Sequence, residues 1–210
     1  MKNIFKTLLC LALLLQIRLG FGQSSSNTVG IHSEEEIRTS NLTIYNTKPK
    51  NIFNALVFDG ALSPGFETRI WDHSKSDKRG EFGVGSVMTC TFKQPVVLVQ
   101  RIVAVNYPNF IIIEVDTEKT TVPFPVKNFE VVHFFKKDSG GKTLHIMNSY
   151  FDFDNAKPFP GGEIGFEKFF TIQMNAGVDF GIANLGGEVL LKGNPEAYPV
   201  DVSLPGPPSN

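Results

Sequence analysis

Gly83-Val84-Gly85-Ser86-Val87 and Arg101-Ile102-Val103-Ala104-Val105 belong to the stretch from Glu81 to Phe153, and its reading decides the fold. Phe82, Val84, Met88, Cys90 and Phe92 share one parity, with glycine or threonine mostly on the other. That is the two-residue period of a strand. Val96 to Val105 is almost entirely apolar, broken only by Gln100 and Arg101. Tyr107-Pro108-Asn109 turns the chain, and Phe110 to Val115 returns it. After an irregular crossing at Thr121-Val122-Pro123-Phe124-Pro125, Val126 to Phe135 reads as another strand. Asp138-Ser139-Gly140-Gly141 is a hairpin turn, and Thr143 to Phe153 goes back. Consecutive strands with connections this short form an antiparallel meander.

Downstream, Pro158 to Gly162 breaks the chain before a long helix expected over residues 163–191. Phe166, Phe169, Phe170, Met174, Val178, Ile182, Leu185 and Val189 recur at three and four, which makes an apolar stripe. Each interior glycine weakens such a helix by roughly 1 kcal/mol, so it must pack on something. Gly177 and Gly181, one turn apart, leave either a close backbone contact or a gap beneath it. Beyond it, Pro195, Pro199, Pro205, Pro207 and Pro208 make residues 192–210 a proline-rich tail, expected to be extended or disordered.

Upstream, Ser40 to Thr47 suggests a first strand. Pro49 opens a short amphipathic helix over 49–58, with Ile52, Phe53, Leu56 and Val57 at helical spacing. A second short helix or turn is expected from about Ser63 to Ile70, ending at Trp71-Asp72-His73, and Ser74 to Gly80 is a polar loop. Residues 23–39 have almost nothing to bury and read as a flexible tether. Residues 1–22 combine a basic start, an apolar run from Thr7 to Ile17 and small residues before Gln23. They read as a secretory signal peptide cleaved near Gly22/Gln23, with an apolar run too short to remain as a membrane anchor. The protein is therefore expected to be exported, to a periplasm or the outside medium. Asn41-Leu42-Thr43 matches the glycosylation acceptor pattern.

At 210 residues the chain holds one domain with a full core. Its formal charge is −1, and the signal segment carries Lys2, Lys6 and Arg18 but no acid, so the processed chain is more acidic still. No basic cluster is longer than Lys136-Lys137 or Lys78-Arg79, which argues against a nucleic-acid partner. Of two cysteines only Cys90 survives processing, so no internal disulfide forms, and Cys90 reads as a small buried hydrophobe.

Strand, two short helices, long meander and long C-terminal helix is the order of the START-like helix-grip fold. Pro49-Lys50-Asn51-Ile52-Phe53-Asn54-Ala55-Leu56 resembles the first helix of that family, and Trp71 the tryptophan closing the second. Gly83-Val84-Gly85-Ser86-Val87 resembles the glycine pair of its second strand, and Arg101-Ile102-Val103-Ala104-Val105 its arginine-led third. Pro123-Phe124-Pro125-Val126-Lys127-Asn128-Phe129 resembles the entry to the fifth. Over residues 40–191 the chain looks like the polyketide cyclase/dehydrase branch of the SRPBCC superfamily. The resemblance implies an α+β fold: a curved antiparallel sheet gripping the C-terminal helix, two short N-terminal helices, and an apolar cavity between sheet and helix. Members differ widely in use, from lipid transfer to aromatic cyclisation, so the fold leaves function open.

Nineteen phenylalanines suit either an aromatic-walled pocket for a hydrophobic or lipid-like guest or a packed core. The candidate ligand-lining residues are Trp71, Phe129, Phe151, Phe166, Phe170, Met174 and Val178, together with Arg101. Pointing inward, Arg101 would anchor a carboxylate or phosphate; pointing outward, the orientation favoured here, it pairs with a strand acid such as Glu114. For acid/base chemistry of a cyclase, dehydratase or isomerase the candidates are Asp72, His73, Tyr150 and Asp152. Asp154 shares the parity of Asp152. His133 and His145 sit on the two arms of the last hairpin, and a one-residue shift in register decides whether they share a face. With no third ligand at metal spacing, they read as solvent-side strand histidines. No nucleophile elbow, phosphate loop, dinucleotide fingerprint or zinc spacing occurs, so no cofactor or metal is expected. Three functions remain: a carrier of a small hydrophobic ligand, an enzyme of the cyclase type, and a filled module acting through its surface.

Overall fold

The computed structural model describes residues 36–60, 62–93, 96–121 and 124–200. The expected signal peptide and most of the tether lie outside these residues. Strand β1 (Thr39–Tyr45) is followed by helix α1 (Pro49–Asn54), whose last residues run on into a π-helical turn at Ala55–Asp59. Six strands come next: β2 (Phe66–Asp72), β3 (Val87–Phe92), β4 (Val97–Asn106), β5 (Phe110–Val115), β6 (Val126–Lys137) and β7 (Thr143–Phe153). Helix α2 (Gly162–Leu185) and strand β8 (Gly187–Leu191) complete the set. The strands form one antiparallel sheet in the order β2-β3-β4-β5-β6-β7-β1-β8. Bulges in β1, β2, β4 and β6 add twist and bend the sheet around α2. This is the α+β helix-grip architecture.

Two elements differ from the sequence reading. The second short helix is absent, and Phe66–Asp72 is an edge strand pairing with β3, with Arg69 opposite Cys90 and Trp71 opposite Met88. Phe66, Ile70 and Trp71 fit a helical spacing as well as a strand, and only the free edge of β3 decides between them. A single short helix, α1, therefore precedes the meander. Its end is held by Arg69, whose Nη1 donates to the carbonyls of Leu56 (2.7 Å) and Val57, with the guanidinium over the Phe66 ring. The glycine-rich stretch before β3 is a turn, in which Ser86 Oγ accepts the Gly83 N–H at 3.1 Å.

The long helix also stops early, at Leu185 and not at residue 191. Gly186 takes a left-handed φ of 68°, and at Gly187 a Cβ would lie 2.0 Å from the Ile44 carbonyl oxygen. The chain turns there and pairs as β8 with β1, Val189 opposite Thr43. Residues after β8 run back along α2. Lys192 pairs with Asp179, the Asn175 amide donates to the Gly193 carbonyl, and Lys168 donates to the carbonyl of Val200.

Helix α2 lies across the inner face of the sheet. At its N-terminal half, Phe166 and Phe170 pack edge-to-face on Phe151 and Phe129. At its C-terminal half, Gly181 is needed for close approach. A Cβ there would meet Leu62 Cδ2 at 2.4 Å and the Tyr45 hydroxyl at 2.6 Å. The glycines thus admit Leu62 and Tyr45 against the helix and leave no gap at that point. At the entry to β1, Arg38 donates to the Phe151 carbonyl and pairs with Glu163 and Glu167 on α2, clasping helix to sheet.

Candidate ligand-binding site

Register decides which side chains look inward. Phe135 lies opposite His145, and His145 opposite Thr43; His133 lies opposite Met147 and Ile111. The offset between the two histidines is two residues, an even number, so both occupy the inner face. This overturns the reading of solvent-side histidines. They are 4 % and 2 % exposed, and His133 Nδ1 meets His145 Nε2 at 3.0 Å. The rings are nearly parallel, with His145 stacked on Phe135 at 4.9 Å and Tyr45 tilted against it at 5.9 Å. One signal for this was legible: His133 shares the parity of Val131 and Phe135, and His145 that of Met147 and Phe151.

Burial sets the charge state of the pair. Desolvation, and then the proximity of His145, hold the His133 imidazole well below its ordinary range, and burial pushes His145 down to about 3. Both rings are therefore neutral at physiological pH. Burial likewise pushes the Tyr45 phenol up. Neutral rings joined by one hydrogen bond require one N–H to point at the other ring's lone pair.

Around the dyad, the buried apolar side chains divide into two clusters. One holds Phe129, Val131, Met147, Phe151, Phe166, Phe170 and Val178, with Met174 partly buried against it. The other holds Tyr45, Ile52, Phe53, Ile102, Ile111 and Phe135, with Trp71 and Phe82 partly buried at its rim. A domain this size normally builds one contiguous core. Here, among the described residues, His133 sits at the seam, between Val131 of the first cluster and Phe135 of the second. Gln100 joins the same face by its register opposite Met88 and Val115.

The candidates from sequence are therefore dispersed. Phe129, Phe151, Phe166, Phe170 and Val178 are core, largely packed on one another; Met174 borders them and Trp71 lies in the other cluster. Arg101 points away from the helix and pairs with Glu114 on β5. Asp72 is exposed, its carboxylate held low by the hydrogen bond from the Ser74 N–H. His73 Nδ1 lies 3.0 Å from the buried Ser86 hydroxyl, and its ring stacks on Trp71. Tyr150 is on the outer face next to Asn148, and Asp152 accepts from Asn128 at the surface. These four do not converge on one point. Among the described residues no three His, Cys, Asp or Glu converge as metal ligands, and no helix is long and apolar enough to cross a membrane. Cys90 is buried, with the Arg69 Nε 3.3 Å from its sulfur. Asn41 is buried and accepts the Gly193 N–H, so the glycosylation acceptor is closed in the folded chain.

A curved antiparallel sheet closed by a C-terminal helix, with inward aromatic and neutral polar groups, defines the START-like, Bet v1-like class of fold. Solved structures agree. An uncharacterized protein from Bacillus thuringiensis superposes with a TM-score of 0.52 at 12% identity, over 70% of this chain and 97% of its own. Ara h 8.0201 gives 0.51 at 13%, over 70% and 95%. An HSP90 activator from Plasmodium falciparum gives 0.50 at 13%, over 72% and 97%. At these identities the shared property is the fold. No protein-family model matches the sequence, and no curated protein is significantly similar to it.

Proposed function

We propose that the protein is an exported carrier that holds a small hydrophobic or lipid-like molecule between the sheet and α2, without covalent chemistry. The observation that carries this reading is the buried, uncharged His133–His145 pair set among the apolar and aromatic side chains of the inner face. Uncharged polar side chains at the centre of an apolar, aromatic face are the make-up of a ligand pocket, in which a few polar groups orient an otherwise apolar guest. Within the SRPBCC proteins the assignment is to the polyketide cyclase/dehydrase branch, on the motifs at residues 49–56, 83–87, 101–105 and 123–129. Residues 1–22 direct export in this reading, to a periplasm or the outside medium.

Native mass spectrometry of the exported, gently purified protein tests it. A discrete added mass that is lost on denaturation, and recovered in organic solvent as an apolar compound, is expected. The same spectrum reads the cleavage near Gly22/Gln23. A bare protein mass, together with failure to take up an uncharged dye such as Nile red, would refute the carrier.

A further inference from the structure

The inward polar groups fall into two kinds. Most tie a segment of the fold down. Thr39 Oγ1 and Ser149 Oγ satisfy each other across the β1–β7 ladder at 2.6 Å, Asn41 holds the Gly193 N–H, and Thr143 Oγ1 donates to the Thr47 carbonyl at 2.6 Å. The histidine dyad ties down nothing of this sort. Its nitrogens meet only each other, and among the described residues no hydrogen bond reaches His133 Nε2 or His145 Nδ1. A pair of apolar side chains of similar volume would fill this place with no desolvation penalty. Polar groups kept in a core at such a cost, with no backbone to hold, are characteristic of sites.

The chemistry of the pair restricts what it can receive. In one tautomeric arrangement His133 Nδ1–H donates to His145, leaving His133 Nε2 as acceptor and His145 Nδ1–H as donor. In the other, the roles reverse. Either way the dyad offers one donor and one acceptor, and it can exchange them at no change in charge. A hydroxyl, which can donate to the free nitrogen it meets or accept from it, matches both arrangements. An anion does not: it can only accept, and of the cations that share the inward parity Arg69 is spent on the Leu56 and Val57 carbonyls, while Lys137 is exposed at the end of β6. Arg101 is on the other face.

Resting on the carrier reading, we infer that His133 and His145 form the polar recognition element of the site and select an uncharged apolar molecule bearing a hydroxyl, an alcohol or a phenol. The two clusters take its apolar parts on either side of the seam.

The test uses the mature protein, stripped of bound lipid, with Nile red as an uncharged reporter. Retinol and retinoate, which share a skeleton and differ in hydroxyl against carboxylate, then compete for the dye at pH 7.5. Retinol should displace it at a concentration lower by about tenfold, the worth of one matched hydrogen bond. In the double variant His133→Leu/His145→Phe the dye should still bind and the preference should fall to near unity. Equal displacement by the two competitors, or a preference that survives the double variant, would overturn the inference while leaving the carrier reading intact. Absence of dye uptake by the unaltered protein would remove both. A second readout needs no variant: the ring-nitrogen NMR signals of His133 and His145 should move on adding retinol. Signals that stay fixed while retinol displaces the dye would also overturn it.

Discussion

The neutral buried dyad makes the protein acid-labile in a pH range where carboxylates are still ionised. In the unfolded chain both imidazoles titrate near 6.5, whereas in the fold His145 is held down to about 3 and His133 is lowered in the same sense. Below pH 6.5 the unfolded state therefore binds more protons than the folded state, and stability falls as pH falls. Above about pH 7.5 both states are neutral at these sites and the contribution is constant. The slope is about 1.4 kcal/mol per pH unit for each histidine. From pH 6.5 to 4.5 His145 alone removes about 2 kcal/mol, and by pH 3 about 4 kcal/mol, a large share of the ~5–15 kcal/mol that holds a typical domain together. The lowered carboxyls of Asp72, Asp116 and Asp154 act in the same direction as pH falls through the carboxylate range, while Glu167, raised by burial, acts in the opposite direction, so the comparison with a variant lacking both histidines isolates their share. Trp71, the single tryptophan, reports urea unfolding by its fluorescence. The unfolding free energy should be level above about pH 7.5, bend downward through 6.5 and then drop by about 1 to 3 kcal/mol per unit, for one or two protons. The His133→Leu/His145→Phe protein should be level across the same window. An equal slope in that variant, or a level profile in the unaltered protein, would refute the buried neutral pair.

Two further substitutions check the packing and the orientation of the sheet. Gly181→Ala improves helix propensity by about 1 kcal/mol but drives a methyl into Leu62 and the Tyr45 hydroxyl, and overpacking of this kind costs about 1–3 kcal/mol. A net loss of stability is expected on thermal unfolding, and a gain would mean that Leu62 and Tyr45 are not seated on the helix. Arg101→Ala should cost less than about 1 kcal/mol and leave Nile red affinity unchanged, because its partner Glu114 is a surface residue. A loss of dye binding would put the guanidinium on the inner face.

Much of the architecture could be read from local pattern. The period-two alternation in β3, the short apolar runs of β4 to β7 and the turn residues Asp138-Ser139-Gly140-Gly141 specify the meander, since each signal is contained within a few neighbours. The apolar stripe from Phe166 to Leu185 specifies α2 for the same reason. Local pattern misled where two periods coincide. Phe66, Ile70 and Trp71 suit a helix, and they became a strand because β3 had an edge to fill. Val189 continues the helical stripe of α2, yet the backbone at Gly187 meets the carbonyl of Ile44 on β1, a segment far away in sequence.

The dyad shows the division most directly. The sequence by itself determined that two histidines lie on the arms of one hairpin, in a chain with no metal spacing and no catalytic motif. Only the tertiary structure decided that they face inward, touch each other and lose their charge. A strand's own residues state its period, but the face that is buried depends on register with its neighbours and on which side α2 closes. Here that required Phe135 to meet His145 across the hairpin, Thr43 to arrive from β1, and a helix starting beyond both to cover them.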